Sequence, residues 1–226
     1  QAALSFAVEG MSFSAAKGLG IAVAGGHALV IGAGAGLIAF PTPWGRLRQA
    51  LGTPADDGLM FEAHVLVNGC PAWLVHKQAA GRLLEPSRQA VCLCHGRSKN
   101  KAWLRPLIRL LAEDRAVLAF DFPSHGENSY GTCTLGLHEA LTVNHALDFL
   151  QAKGFNSIVV YGSSMGGAAS VFSQAANPHP CVVGIVTQGL FASLPDLLQR
   201  ASGNFPSYLT WAAMRLAGIV AGYDPW

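Results

Sequence analysis

Ile158-Val159-Val160-Tyr161-Gly162-Ser163-Ser164-Met165-Gly166-Gly167-Ala168-Ala169 decides how this chain reads. An apolar, β-branched run enters the stretch and a run of small residues leaves it, which predicts a buried strand passing directly into a helix. Gly162, Ser164 and Gly166 form G-x-S-x-G. The bare pattern is weak in a chain with 26 glycines, and its setting is what makes it specific. A sharp strand-to-helix turn holds the middle serine in a strained conformation, and flanking side chains would collide there, hence the glycines. Such a turn lifts the Ser164 hydroxyl above the C-terminal edge of a sheet. The helix start then aims backbone N–H groups and a positive dipole end at the same spot. Ser164 is the candidate nucleophile and the Met165 N–H a candidate oxyanion donor. Ser163 lacks the flanking glycine symmetry, and the alternative to the whole reading is a glycine-rich turn with a surface serine.

Working outward, strand and helix patterns alternate. Phe61 to Asn68 and Ala72 to Lys77 predict a hairpin around Asn68-Gly69-Cys70-Pro71. Strands are predicted at Ala90–Cys94, Ala116–Phe120, Ser157–Tyr161 and Val182–Thr187. Helices are predicted at Trp103–Ala112, Leu137–Leu150 and Met165–Ala175, with helical sequence continuing to about Val220. The alternation predicts an α/β fold with a mostly parallel, doubly wound sheet covered on both faces.

A second oxyanion donor has to come from a loop after a neighbouring strand. Val91-Cys92-Leu93-Cys94-His95-Gly96-Arg97-Ser98 is such a strand ending in His-Gly, and His95 and Gly96 let that backbone approach closely. The Arg97 N–H is the candidate donor. Cys92, Cys94 and His95 invite a metal reading, but no second Cys/His pair has matching spacing, so the cysteines read as core and no metal site is expected. In Phe120-Asp121-Phe122-Pro123-Ser124-His125-Gly126-Glu127-Asn128-Ser129, Asp121 is expected to tie the loop down through backbone hydrogen bonds. His125 is expected to shape the loop rather than act as a base.

These landmarks together resemble the α/β-hydrolases, specifically the membrane-anchored, serine-aminopeptidase-like or esterase-like bacterial type. The resemblance runs from about Thr53 to the end of the chain. It rests on His95-Gly96 with Lys99 or Lys101 shortly after, on Asp121 to Ser129 (similar to D-x-R-G-H-G-x-S), and on Gly162 to Gly166. Phe191-Ala192-Ser193-Leu194 and Gly222-Tyr223-Asp224-Pro225 are similar to later landmarks. Pro123 stands where the family has Arg, Ser124 where it has Gly, and Asn128 before the Ser. The resemblance implies an acid and then a histidine downstream of the serine. After Ser164 the chain offers Asp196, Asp224 and His179. His179 lies in the turn before a strand, at the wrong end of the sheet. Asp196 starts a helix, where a carboxylate caps well. Asp224 approaches a strand that is not there. The expectation is a nucleophile and oxyanion hole without the triad acid and base, in a fold incomplete at its C-terminus.

The other signal is hydrophobic. The chain has 226 residues, 51% hydrophobic and 12% charged, with net charge +2 and mean hydropathy +0.33. No charged residue falls between Gly18 and Gly45, and Leu19 to Phe40 is almost wholly apolar or small. Roughly 20 such residues cross a bilayer core as a helix. A single-pass transmembrane helix is therefore expected at 18–40, after an N-terminal segment 1–17. A linker at 41–60 and a partial hydrolase domain at 61–226 follow. Arg46 and Arg48 against Lys17 place that domain on the cytoplasmic side. Val30-Ile31-Gly32-Ala33-Gly34-Ala35-Gly36 suggests a dinucleotide loop, but Pro41 cuts the following helix and Asp56 and Asp57 sit in a turn. No cofactor is expected. Scattered basic residues leave no footprint for nucleic acid, and five cysteines without CxxC fit free thiols. The expected activity is hydrolysis of an ester, amide or related acyl substrate, small molecule or peptide; Tyr208 and Trp211 either line an acyl pocket or simply pack. The alternative is an inactive, membrane-bound binding or scaffold protein of the same fold.

Overall fold

The computed structural model describes residues 26, 28, 29, 31–36, 38, 39, 51–79, 82, 83, 88–128, 130–201, 203 and 206–222. The chain divides into two compact units, residues 39–193 and residues 1–38 with 194–226.

In the larger unit, β1 (Phe61–Val65) and β2 (Pro71–Val75) form the expected antiparallel hairpin, Phe61 opposite Val75. Its turn is closed by the Gly69 N–H donating to Leu66 O (2.8 Å), with Gly69 at φ +81°. A small ribbon follows, β3 (Gln78–Ala79) with β4 (Arg82–Leu83). Then come β5 (Gln89–Cys94), α1 (Arg105–Ala112), β6 (Ala116–Phe120), α2 (Glu139–Ala152), β7 (Ser157–Ser163), α3 (Met165–Ala176) and β8 (Val182–Gln188). The six-stranded sheet has the order β1-β2-β6-β5-β7-β8. β6, β5, β7 and β8 run parallel, and β2 meets β6 antiparallel, so the sheet is mixed.

Strand period explains the two cores. Val91 and Leu93 of β5 face one way, with Val117 and Ala119 of β6, onto Leu104, Ile108 and Ala112 around α1. Their neighbours Ala90, Cys92, Cys94, Leu118 and Phe120 point the other way, and they too are buried. A strand hydrophobic at every position is the signature of a parallel sheet covered on both faces. That expectation fails at the edge strand β8, where Val183, Ile185 and Val186 are exposed.

Two helix starts differ from the sequence expectation, each for a local reason. The helix expected from Trp103 opens as a 3-10 turn over Lys101–Leu104, because Asn100 Oδ1 takes the Trp103 N–H at 3.0 Å. The helix expected from Leu137 begins at Glu139, since Leu135 and Gly136 hold positive φ. The described part of the expected linker is docked onto the core. Leu51 and Leu59 pack against it, and Asp57 receives Arg105 Nε at 2.7 Å, which holds the Asp57 carboxyl below its usual range.

In the smaller unit the helical sequence toward Val220 is two helices, α4 (Leu194–Ala201) and α5 (Ser207–Ala221), separated at Gly203 (φ +61°) and Pro206. The described residues of 26–38 are helical, and a Cβ on Gly34 would stand 3.2 Å from Ala213 Cβ, so small residues let this segment approach α5. Gly32, Gly34 and Gly36 thus lie in a helix, not in a strand-to-helix nucleotide loop. Much of the expected membrane span at 18–40 lies outside the described residues. Among the described residues no helix is long and apolar enough to cross a membrane.

Candidate active site

The turn after β7 is built by backbone contact. Ser164 is the N-cap of α3 with φ +48° and ψ −113°, a conformation that costs a residue with a side chain about 1–3 kcal/mol. Both of its backbone groups are bound. Its N–H donates to Gln188 O (2.8 Å) at the end of β8, and its carbonyl accepts the Ala168 N–H (3.0 Å). The surroundings leave no room for side chains. A Cβ on Gly162 would overlap Gly166 O, and one on Gly166 would overlap Cys94 O and stand 2.6 Å from His95 O. The first turn of α3 therefore presses on the end of β5. The Met165 N–H lies in that first turn, where N–H groups have no intrahelical acceptor. Ser164 itself is half-buried.

The loop after β5 runs alongside. A Cβ on Gly96 would stand 3.6 Å from Ser164 Cβ and 3.2 Å from Ser163 O, which places this backbone in contact with the serine turn. The Gly96 carbonyl accepts twice, from His95 Nδ1–H (2.8 Å) and from the Lys99 N–H (3.1 Å). That carbonyl belongs to the same peptide plane as the Arg97 N–H, so fixing one fixes the direction of the other. The imidazole is itself fixed, since its Nε2 accepts the Phe122 N–H at 3.1 Å. This pattern requires the neutral ring with the proton on Nδ1. Burial pushes His95 down to about 4, and the bond to Gly96 only partly opposes it.

The β6 loop supports this loop from behind. Asp121 accepts the Lys101 N–H (2.7 Å), Lys101 Nζ (2.7 Å) and the Glu127 N–H (2.9 Å), so it does tie the loop through backbone bonds. Gly126 (φ +53°) is required because a Cβ there would enter the Asp121 carboxylate. His125 is buried, its ring 5.1 Å from that of His95, and its Nδ1–H donates to Pro123 O at 2.8 Å. Burial, and then the charge a protonated His95 would carry, push His125 down to about 4. Before α2, Glu139 accepts the Thr134 N–H (2.8 Å) and the Gly136 N–H (2.9 Å), and Gly136 (φ +119°) packs against Ala168 of α3. Cys133 Sγ lies 3.5 Å from Met165 Sδ, and burial pushes that thiol up to about 12.

The structure thus brings Ser164, Met165, Gly162, Gly166, His95 and Gly96 to one edge of the sheet, with Arg97 on the adjoining loop. It does not bring His179 there. His179 precedes β8, whose first residue pairs with Ile158, so roughly 20 Å of strand separates it from Ser164. Its Nε2 instead lies 3.5 Å from Asp148 Oδ1 of α2. Asp196, Tyr208 and Trp211 belong to the smaller unit, and Asp224 lies outside the described residues. Cys92 and Cys94 are fully buried in β5, and among the described residues no cluster could hold a metal ion. Sequence reasoning missed Gln188 and Glu139, and it named Lys101 only as an alternative to Lys99, with no role assigned. Gln188 was visible as the strand end before Gly189, but nothing in Lys99-Asn100-Lys101 distinguishes a buried lysine from a solvated one.

No curated protein matches the chain. Among solved structures, the Pyrococcus furiosus esterase in its P212121 crystal form is similar with a TM-score of 0.59 and 20% identity, over 77% of this chain and 67% of that one. Its P21 form gives 0.57 and 20%, over 74% and 66%. This chain spans about two thirds of the length of those esterase chains, and at such identity the likeness shows the fold. Residues 90–226 match the family model described as alpha/beta hydrolase family. That match covers more than half of the sequence, every strand from β6 on and the Ser164 turn, so the chain belongs to the alpha/beta hydrolase family.

Proposed function

We propose that the chain is a serine hydrolase of ester, amide or related acyl compounds, small molecule or peptide, with Ser164 as nucleophile. The observation that supports it is Ser164 held at positive φ at the start of α3, pressed against the Gly96 backbone. Ser164 Oγ attacks the acyl carbon and yields its proton to a base. The carbonyl π bond opens to an oxyanion, which collapses to an acyl-enzyme as the leaving group departs with a proton. The Met165 and Arg97 N–H groups receive the negative charge, each worth about 3 kcal/mol in the transition state. The family pattern implies an acid and a histidine following the serine, and no described residue is proposed for either role.

A fluorophosphonate probe tests the reading. It should label the full-length protein at Ser164, and Ser164→Ala should abolish the labelling; label that survives the substitution refutes Ser164 as the nucleophile, and an unlabelled wild type refutes the hydrolase reading and favours the non-catalytic binding protein. Membrane attachment through residues 18–40, with the hydrolase domain cytoplasmic, is proposed on the uncharged run from Gly18 to Gly45 alone. The full chain should then resist alkaline carbonate extraction, and release into the supernatant removes the proposal.

A further inference from the structure

Lys101 is a lysine with 2% of its side chain exposed, and lysines almost never occupy such positions unpaired. Its Nζ lies 2.7 Å from Asp121 Oδ2, 2.6 Å from Glu127 Oε2 and 4.7 Å from the centre of the Trp73 ring. Its backbone N–H donates to the other Asp121 oxygen, so one carboxylate grips one residue at both ends. Against an apolar pair of the same volume, a buried ion pair gives little net stability. Placement is a better account of it than stability.

What it places can be traced bond by bond. Asp121 fixes Lys101, two residues before it the Lys99 N–H holds Gly96 O, and the Gly96 carbonyl sets the plane that carries the Arg97 N–H. The loop is therefore anchored at both ends to the β6 loop, by His95 on the Phe122 N–H and by Lys101 on Asp121. Between the anchors Ser98 stands at φ +58°, a strained position that persists only where its surroundings over-determine it. We infer that Lys101, held by Asp121 and Glu127, is a positioning residue that sets the direction of the Arg97 oxyanion donor from outside the reacting centre. This rests on the serine-hydrolase reading above.

The test uses the full-length chain, p-nitrophenyl butyrate as substrate, and hydrogen exchange of peptides spanning 95–101. Lys101→Met should speed exchange in that segment by about tenfold while α2 is unchanged. It should lower kcat by about tenfold or more with KM within about threefold, and Lys101→Arg should restore part of the rate. If Lys101→Met does not fold, Lys101→Met/Asp121→Asn removes the charges together and carries the same expectations. Unchanged exchange, or a loosened loop with unchanged kcat, overturns the positioning role while leaving the hydrolase reading intact. A wild type that neither turns over the ester nor takes the fluorophosphonate overturns the hydrolase reading, and this one with it.

Discussion

The turn at Ser164 and the loop at Arg97 lie against one another yet are held by opposite means. The turn is held by what is missing: Gly162 and Gly166 clear the space in which backbones from β5, β7 and α3 touch. The loop is held by what is present, a buried imidazole at one end and a buried ion pair at the other. Backbone sterics do not titrate and hardly respond to salt. A network of buried polar side chains responds to pH and to loss of any one member. The two halves of the candidate oxyanion hole should therefore fail under different conditions.

Acid should show the largest difference. His95 and His125 are both pushed down to about 4 from an ordinary 6.5. Below about 6.5 the unfolded chain takes up protons that the folded chain refuses until about 4. The rings' contribution to stability is therefore full above that window and drains as pH falls through it, at roughly 1.4 kcal/mol per pH unit for each ring. Urea midpoints measured from pH 7 to 4.5 should drop steeply, and His125→Gln should remove about half of the slope. A flat wild-type profile would show that the rings are not buried neutral. Next in size is Asp121→Ala, which strands the Lys101 charge and should cost about 3–5 kcal/mol by urea denaturation, while Glu127→Gln, at a carboxylate 56% exposed, should cost under about 1 kcal/mol.

The same contrast decides what could be read from sequence. Hydrophobic period and glycine sterics are local, so Ala116–Phe120 as a strand, the hairpin around Asn68-Gly69 and the turn between Gly162 and Gly166 were all legible. Asp121 was legible in part, since an acid after a strand ties down a loop wherever backbone N–H groups converge. The burial of Lys101 was not, because it depends on Trp73 of β2 and on Asp121 and Glu127 of the β6 loop arriving from two other segments. Leu135 at φ +58° was illegible for a related reason, lying between Thr134 and Gly136, whose N–H groups are held by Glu139 five and three residues further along the chain. The glycines between Gly32 and Gly36 were ambiguous by pattern alone, since they suit both a nucleotide loop and, at Gly34, close approach to α5; Pro41 decided against the loop.

On the turn's side the expected effect is smaller than that of losing Asp121 but still large. Gly166→Ala forces a methyl group into Cys94 O at the end of a central strand and His95 O just after it, both backbone atoms that cannot rotate away. About 3 kcal/mol of destabilisation follows, read as a fall in Tm, and unlike the acid effect it should be the same at pH 5 and pH 8. A pH-dependent loss would mean that the two halves share one support.

The smallest effect has the opposite sign. Ser164 pays for its φ of +48° with strain that glycine does not feel, whereas glycine adds freedom to the unfolded chain worth about 0.5–1 kcal/mol. Relief exceeds that cost, so Ser164→Gly should raise stability by about 1 kcal/mol while abolishing fluorophosphonate labelling. Ser98→Gly, at φ +58° in the clamped loop, should gain a similar amount, because strain of this kind is local whatever holds it. The two gains should add, since the sites have separate supports. Differential scanning calorimetry of both single variants and the double variant measures this. A double variant gaining clearly less than the sum would show that relaxing one corner already relaxes the other, through the contact of Gly96 with Ser164.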